Sequence, residues 1–250
     1  MACLARLGAE TRFVGKTGDD GEGDFVLGEL VRFGVDVSCL RRGTGHSRVA
    51  TVLVDEHSGE RGFLSWPESF PPLSAAELAP EDVAGADIVL IDDGDEVGLQ
   101  AALWARQAGA VVVFDGTWQS DRLDDFLPLV DHAVVGEFFA RRWLPGADDD
   151  TILRRLTDLG AGTAVLTLGE RGCVALHGGA RLGCPAFDVC VVDTTGTGDA
   201  FHGGYIAALL EGLDLPERLS FAAATAALNC RALGGQQSLP TREEVDALLR

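Results

Sequence analysis

Short apolar runs alternate with helix-periodic stretches along most of the chain. "TRFVG" (11–15), "DIVLI" (87–91), "VVVFD" (111–115), "HAVV" (132–135) and "TAVLT" (163–167) are rich in β-branched residues and apolar at consecutive positions. Strands covered on both faces, as in parallel sheets, read this way. Helical patterns occupy 20–33, 96–108, 121–129 and 149–159. In "GLQAALWARQAG" the helix stops at Gly109, just ahead of the next strand, where a C-terminal glycine is expected. The alternation predicts an α/β fold with a doubly wound, mostly parallel sheet flanked by helices.

Two regions depart from that rhythm. "SRVATVLVDEHSGERGFLSW" (47–66) reads as two extended arms joined by a turn at His57–Ser58–Gly59. No helix lies between the arms, so this is a hairpin, either a lid or an extension of the sheet edge. "PESFPPLSAAELAP" (67–80) is proline-rich and returns the chain to the main sheet. Towards the C-terminus the strands end near 192, and two or three Ala-rich helices follow.

Composition narrows the class. A chain of 250 residues makes one large domain or a domain with a small appendage, and 46% hydrophobic with 24% charged residues is a globular balance. No apolar run approaches the ~20 residues that cross a membrane. "MACLARLGAE" carries Arg6 in its middle and reads as an amphipathic helix, not a signal peptide. A cytoplasmic chain is expected. Its six cysteines form no CxxC pair and are expected as reduced thiols. The formal net charge of −19 argues against nucleic-acid binding, which needs a basic footprint. It leaves anionic substrates open, because backbone N–H groups alone build anion sites.

The chemistry concentrates in "VVDTTGTGDAFHGG" (191–204). A strand at 189–192, a glycine turn and then a helix would expose unpaired N–H groups at the positive end of the helix dipole. Such a turn binds phosphate or stabilises developing negative charge. A P-loop is excluded because the turn has no Lys, and Lys16 is the one lysine of the chain. Asp199 has two readings at this place. It caps the helix, as Asp often does, or it is a general base that takes a hydroxyl proton beside the anion hole.

"DTTGTGDAFHGGYI" resembles the second signature of the ribokinase-like (PfkB) carbohydrate kinases. "VLTLGERGCVAL" (165–176) is similar to that family's nucleotide-side strand pair, and "FAAATAALNCRALGGQQSLPTREEVDALL" (221–249) to its adenine-side helix and loop. Residues 6–40 resemble its sugar-side region and the hairpin its β lid, with the lid and "GDAFHG" nearest to ketose-type members. The resemblance implies a single ribokinase-like domain over 1–250 with a lid at 44–66, and an ATP-dependent kinase of a small sugar, alternatively of a nucleoside. A non-catalytic nucleotide-binding member of the fold is the other alternative. Carried over by position, Asp199 matches the catalytic base, and Gly196, Thr197 and Gly198 the anion hole. Thr167, Gly169 and Gly172 match nucleotide contacts, and Ala226 and Asn229 line the adenine side. Gly15, Asp19, His46 and Arg48 fall near the sugar. Asp193, Gly234 and Ser238 fall where many members hold a monovalent cation such as K⁺. The implied cofactors are ATP and Mg²⁺, and the implied assembly is a homodimer through the lid.

Three departures from the family pattern stand out. Thr197 replaces a small residue, and its β-branched side chain is expected to crowd the hole. The metal-linked NxxE pattern falls on Gly136 and Phe139, leaving Glu137 as the candidate for Mg²⁺ or else a solvated helix-start residue. Aligning Gly8 and Gly18 with the first signature puts its double glycine and Asn ahead of Met1. The expectation is therefore that the family's first strand and its sugar-binding Asp lie ahead of Met1, through a late-assigned start or a true fragment.

Overall fold

A computed structural model describes residues 1–54, 61–116 and 121–250. The expected turn at His57–Ser58–Gly59 lies outside them. The elements are α1 (Ala2–Arg6), β1 (Gly15–Gly18), α2 (Gly21–Arg32), β2 (Leu40–Gly43), β3 (Val49–Val54) and β4 (Arg61–Trp66). They continue with β5 (Ile88–Ile91), α3 (Glu96–Ala108), β6 (Val111–Gly116), α4 (Leu123–Phe126), β7 (His132–Gly136), α5 (Glu137–Trp143) and α6 (Asp149–Asp158). The last are β8 (Thr163–Thr167), β9 (Cys173–His177), β10 (Ala180–Cys184), α7 (Thr197–Leu210), α8 (Leu215–Asn229) and α9 (Arg242–Leu249).

The main sheet runs β10-β9-β8-β7-β6-β5. Strands β5 to β8 are parallel, and β9 and β10 turn antiparallel at the edge. Side chains alternate across a strand, and this sheet spends both faces. Val112, Phe114, Ala133, Val135, Ala164 and Leu166 face a layer made by α3, α4, α5 and α6. Val113, Val134 and Val165 face Phe201, Tyr205 and Ile206 of α7 and the α8 residues behind them. This explains the consecutive apolar positions of the central strands. Helix α7 is buried almost throughout. Its Gly203–Gly204 pair lets two neighbours come close: a Cβ at Gly203 would lie 2.8 Å from Cys3 of α1, and one at Gly204 2.6 Å from Thr225 of α8.

The hairpin forms as expected, with Val49 opposite Trp66 and Thr51 opposite Leu64. It is a sheet of its own and does not extend the main one. Three expectations need correction. The strand at 11–15 is displaced: Arg12 makes a single bridge to Asp36, and the ladder begins at Gly15, paired in parallel with β2. The helix at 121–129 is the short α4 followed by a 3₁₀ turn over Leu127–Leu129, where Pro128 has no N–H to continue an α-helix. No strand forms at 189–192, and the last one ends at Cys184. Val191 and Val192 are each 58% exposed. The N–H groups of Val192 and Asp193 donate instead to the Cys230 carbonyl just past α8, at 2.8 and 3.2 Å. A helix end, not a neighbouring strand, holds the approach to the glycine turn.

Phe114 is fully buried and meets Phe126 edge-on at 5.1 Å and Phe139 at 6.1 Å between ring centres. Phe114→Ala is expected to lower stability by about 3–5 kcal/mol in urea unfolding, the range for truncating a core aromatic. Leu103→Ala, on the exposed side of α3, should change it by far less.

Candidate active site

The glycine turn delivers the chain into α7, whose His202 stands beside Asp115 near the end of β6 and the Val134 carbonyl of β7. Gly196 is the N-cap residue, in the left-handed region at φ +71°. A Cβ there would lie 2.9 Å from the Gly235 Cα, so both the backbone angle and the space demand glycine. Asp199 is therefore the third residue of the helix. The N-cap makes no side-chain capping bond, and Asp199 is not the cap. The Thr197 N–H turns back to the Thr194 carbonyl at 3.3 Å. The N–H groups of Gly198 and Asp199 belong to the first turn, which has no carbonyl one turn earlier to receive them.

A second loop braces this turn. One oxygen of Asp193 accepts from the Thr195 N–H at 2.9 Å and the Thr195 hydroxyl at 2.8 Å, and the other accepts from the Gly234 N–H at 2.8 Å. The Asn229 amide donates to the Thr195 carbonyl at 3.3 Å, and the Ser238 hydroxyl to the Asn229 carbonyl at 2.6 Å. The hydroxyl of Thr197 is tied to the Thr194 carbonyl at 2.8 Å and lies 3.2 Å from the Cys230 thiol. Asp193, Gly234 and Ser238 thus belong to one bonded cluster. Its carboxylate already carries three donors, so Asp193 acts as the hub of the two loops. Asn229 and Ala226 are buried on α8. The Asn229 Oδ1 is buried with no partner among the described residues.

On the β8–β9 side, Thr167 reaches the Val135 carbonyl at 3.4 Å. Gly169 and Gly172 both have positive φ and bracket a tight 3₁₀ turn. Arg171 in that turn donates to Glu137 at 2.8 Å, and Arg141 donates to the same oxygen at 3.1 Å. Glu137 therefore pins the turn to the start of α5. Among the described residues no group of three or more His, Cys, Asp or Glu side chains is placed to hold a metal ion. Both guanidinium groups bond the same Glu137 oxygen, so a metal ligand there would compete with two arginines for it.

The candidate sugar-side residues lie on β1, just ahead of α2 and at the root of the hairpin. Gly15 is in β1, and the Asp19 N–H donates to the Gly43 carbonyl at 2.9 Å. Asp20 caps α2 and accepts from both the N–H and the hydroxyl of Ser47 at 2.7 Å, which holds its carboxyl down at about 2. That bond fixes the root of the hairpin. His46 there accepts from the Trp66 indole at 3.2 Å, and Arg48 pairs with Glu68 at 2.8 Å.

The Asp199 residue is exposed at the start of α7. The surrounding protein nonetheless pushes its carboxyl above the ordinary carboxylate range, and the charge of Asp115 adds to that push. His202 and the N-terminal amine oppose it. A carboxylate with a raised proton affinity beside unspent N–H groups suits phosphoryl transfer, which needs a proton acceptor and a place for oxygen charge.

A family model described as "pfkB family carbohydrate kinase" matches residues 1–242. The chain belongs to this family of carbohydrate kinases. It is a phosphotransferase that acts on a sugar. The chain is 31% identical to the aminoimidazole riboside kinase of Salmonella typhimurium, over 99% of this chain and 84% of that one. It is 32% identical to a fructokinase of Klebsiella pneumoniae, over 98% and 88%. The structure of Arabidopsis thaliana ribokinase complexed with ribose and ATP aligns with 100% of this chain and 85% of that one, at TM-score 0.85 and 26% identity.

Two groups of this pfkB kinase's site escaped the reading of the sequence. Asp115 is the last-but-one residue of β6, on the same side of the strand as Val113. His202 follows Asp199 by three residues on α7, and its Nδ1 lies 3.5 Å from the Asp115 carboxylate. The available signals were a polar residue closing an otherwise apolar strand and the i, i+3 spacing on a helix. Gly196→Ala is expected to destabilise the chain by roughly 1–3 kcal/mol, the scale of a side chain forced into left-handed backbone. Thermal melts would show this as a lowered Tm, and Gly28→Ala in the open middle of α2 should not lower it.

Proposed function

We propose that this kinase transfers the γ-phosphoryl group of ATP to a hydroxyl of a small carbohydrate, with a ketose as the acceptor class. The observation that carries the reading is the first turn of α7, where Asp199 is spent on no cap and stands beside the N–H groups of Gly198 and Asp199. In this mechanism Asp199 accepts the acceptor hydroxyl's proton as its oxygen attacks. The first-turn N–H groups hold the charge on the transferring phosphoryl. The loop clustered on Asp193 and Gly234 keeps those donors aimed. Thr167, Gly169 and Gly172 present the nucleotide, and Gly15, Asp19, His46 and Arg48 the sugar.

Mg²⁺ enters this scheme with the nucleotide. Such a metal takes most of its ligands from phosphate and water, so no prebuilt cage is required. A monovalent cation beside Asp193 and Ser238 is a further element of the proposal. A nucleoside acceptor is the second reading, favoured by the similarity to a riboside kinase. A cytoplasmic place is supported by six free thiols. Among the described residues no helix is long and apolar enough to cross a membrane.

Asp199→Asn is expected to lower turnover on an accepted sugar by about 10²–10⁴-fold, the worth of a general base, while ATP binding measured by calorimetry stays intact. Turnover near the wild-type rate would remove Asp199 from the base role. Because the Asp199 carboxyl is raised and the base must be ionised, activity should fall on acidification at a higher pH than an ordinary Asp would give.

The hairpin supports a dimer. Val49, Leu53, Leu64 and Trp66 lie on one of its faces by register, and all four are exposed. Edges and apolar faces of this kind invite pairing. Light scattering at micromolar concentration should give twice the chain mass, and the Leu53→Asp, Leu64→Asp double variant should give one chain mass. A wild-type monomer would overturn the dimer.

A further inference from the structure

The ring of His202 lies where α7, β6 and β7 meet, and the residue is 5% exposed. Its Nδ1 is 2.8 Å from the Gly198 carbonyl and 3.5 Å from Asp115, and its Nε2 is 3.1 Å from the Val134 carbonyl. A carbonyl oxygen only accepts, so each ring nitrogen that bonds one carries a proton, whereas a neutral imidazole carries a single N–H. Asp115 supplies a counter-charge for a ring protonated on both sides. The Gly198 carbonyl belongs to the peptide whose N–H is that of Asp199. The histidine therefore grips the anion-hole turn from beneath and ties it to the rigid strand β7.

We propose that His202 is a positioning residue for phosphoryl transfer, donating from both ring nitrogens and standing as a cation that serves both Asp115 and Asp199. This rests on the reading of Asp199 as the base. The charged groups that act at this corner are Asp115 from β6, Asp199 from α7 itself and the Met1 amine ahead of α1. The contact from β7 is the Val134 carbonyl. Asp115 alone, close to Asp199, would favour a protonated and idle base. A cation shared between the two carboxylates lets both ionise. His202 then has two tasks, fixing the Gly198–Asp199 peptide and keeping Asp199 ionised at lower pH.

The test uses the whole chain with ¹⁵N-labelled histidine. At pH 7 the His202 resonances should show a proton on each ring nitrogen, and Asp115→Asn should reduce this to one. A singly protonated ring in the wild type at pH 7 overturns the proposal, and this reading needs no turnover, so it stands apart from whether any sugar is phosphorylated. On an accepted sugar, His202→Gln should move the acid limb of kcat/KM up by about half a pH unit or more, the lower end of what a lost opposite charge does. A uniform loss of rate with the acid limb unmoved would mark His202 as structural only and overturn the proposal.

Discussion

The first turn of α7 must keep its N–H groups unspent while a carboxylate stands in the same turn. A helix start satisfies such donors readily with a side-chain cap, and among the described residues five other helices do so, through Asp20, Asp95, Asp148, Asp214 and Thr241. At α7 the cap position is glycine, and the nearby acidic side chain, Asp193, is turned the other way to bind Thr195 and Gly234. The donors are left for a ligand. The cost of leaving them open is offset by the rest of the helix, which is buried between the sheet and α8.

Charge is balanced at the same place. Asp199 feels burial and Asp115 in one direction, and His202 and the N-terminal amine in the other. The chain as a whole is strongly acidic, yet local backbone dipoles make this turn fit for phosphate. Net charge therefore says little about the substrate here. The position of unsatisfied N–H groups says more.

Much of the architecture was legible because two covered faces leave a plain mark. "DIVLI", "VVVFD", "HAVV" and "TAVLT" became β5 to β8, since helices lie on both sides of the sheet. "VCVV" bears a similar apolar signature yet forms no strand, because its backbone is claimed by the Cys230 carbonyl and its valines face water. That contest is decided by tertiary neighbours and leaves no trace in local spacing. The same holds at the site. Asp199 and its glycines were readable as a contiguous motif, whereas Asp115 lies 84 positions from Asp199 and reaches it only through the parity of β6 side chains. His202 carried a weak signal, a polar residue on the buried face of an otherwise apolar helix. Glu137, read as a metal candidate, is held by Arg141, which helix spacing does pair with it, and by Arg171 from a distant turn, which no local rule would bring to it.

In the proposed mechanism the start of α7 receives the transferring phosphoryl group. Amide resonances of residues 196 to 199 in ¹⁵N-labelled protein report on this directly when a non-hydrolysable ATP analogue and a sugar acceptor are added. The Gly198 and Asp199 amides are expected to move most within this stretch, and further when both ligands are present than with the nucleotide alone. Saturating nucleotide that shifts the Gly169–Gly172 turn but leaves Gly198 and Asp199 unmoved, with or without acceptor, would contradict that mechanism.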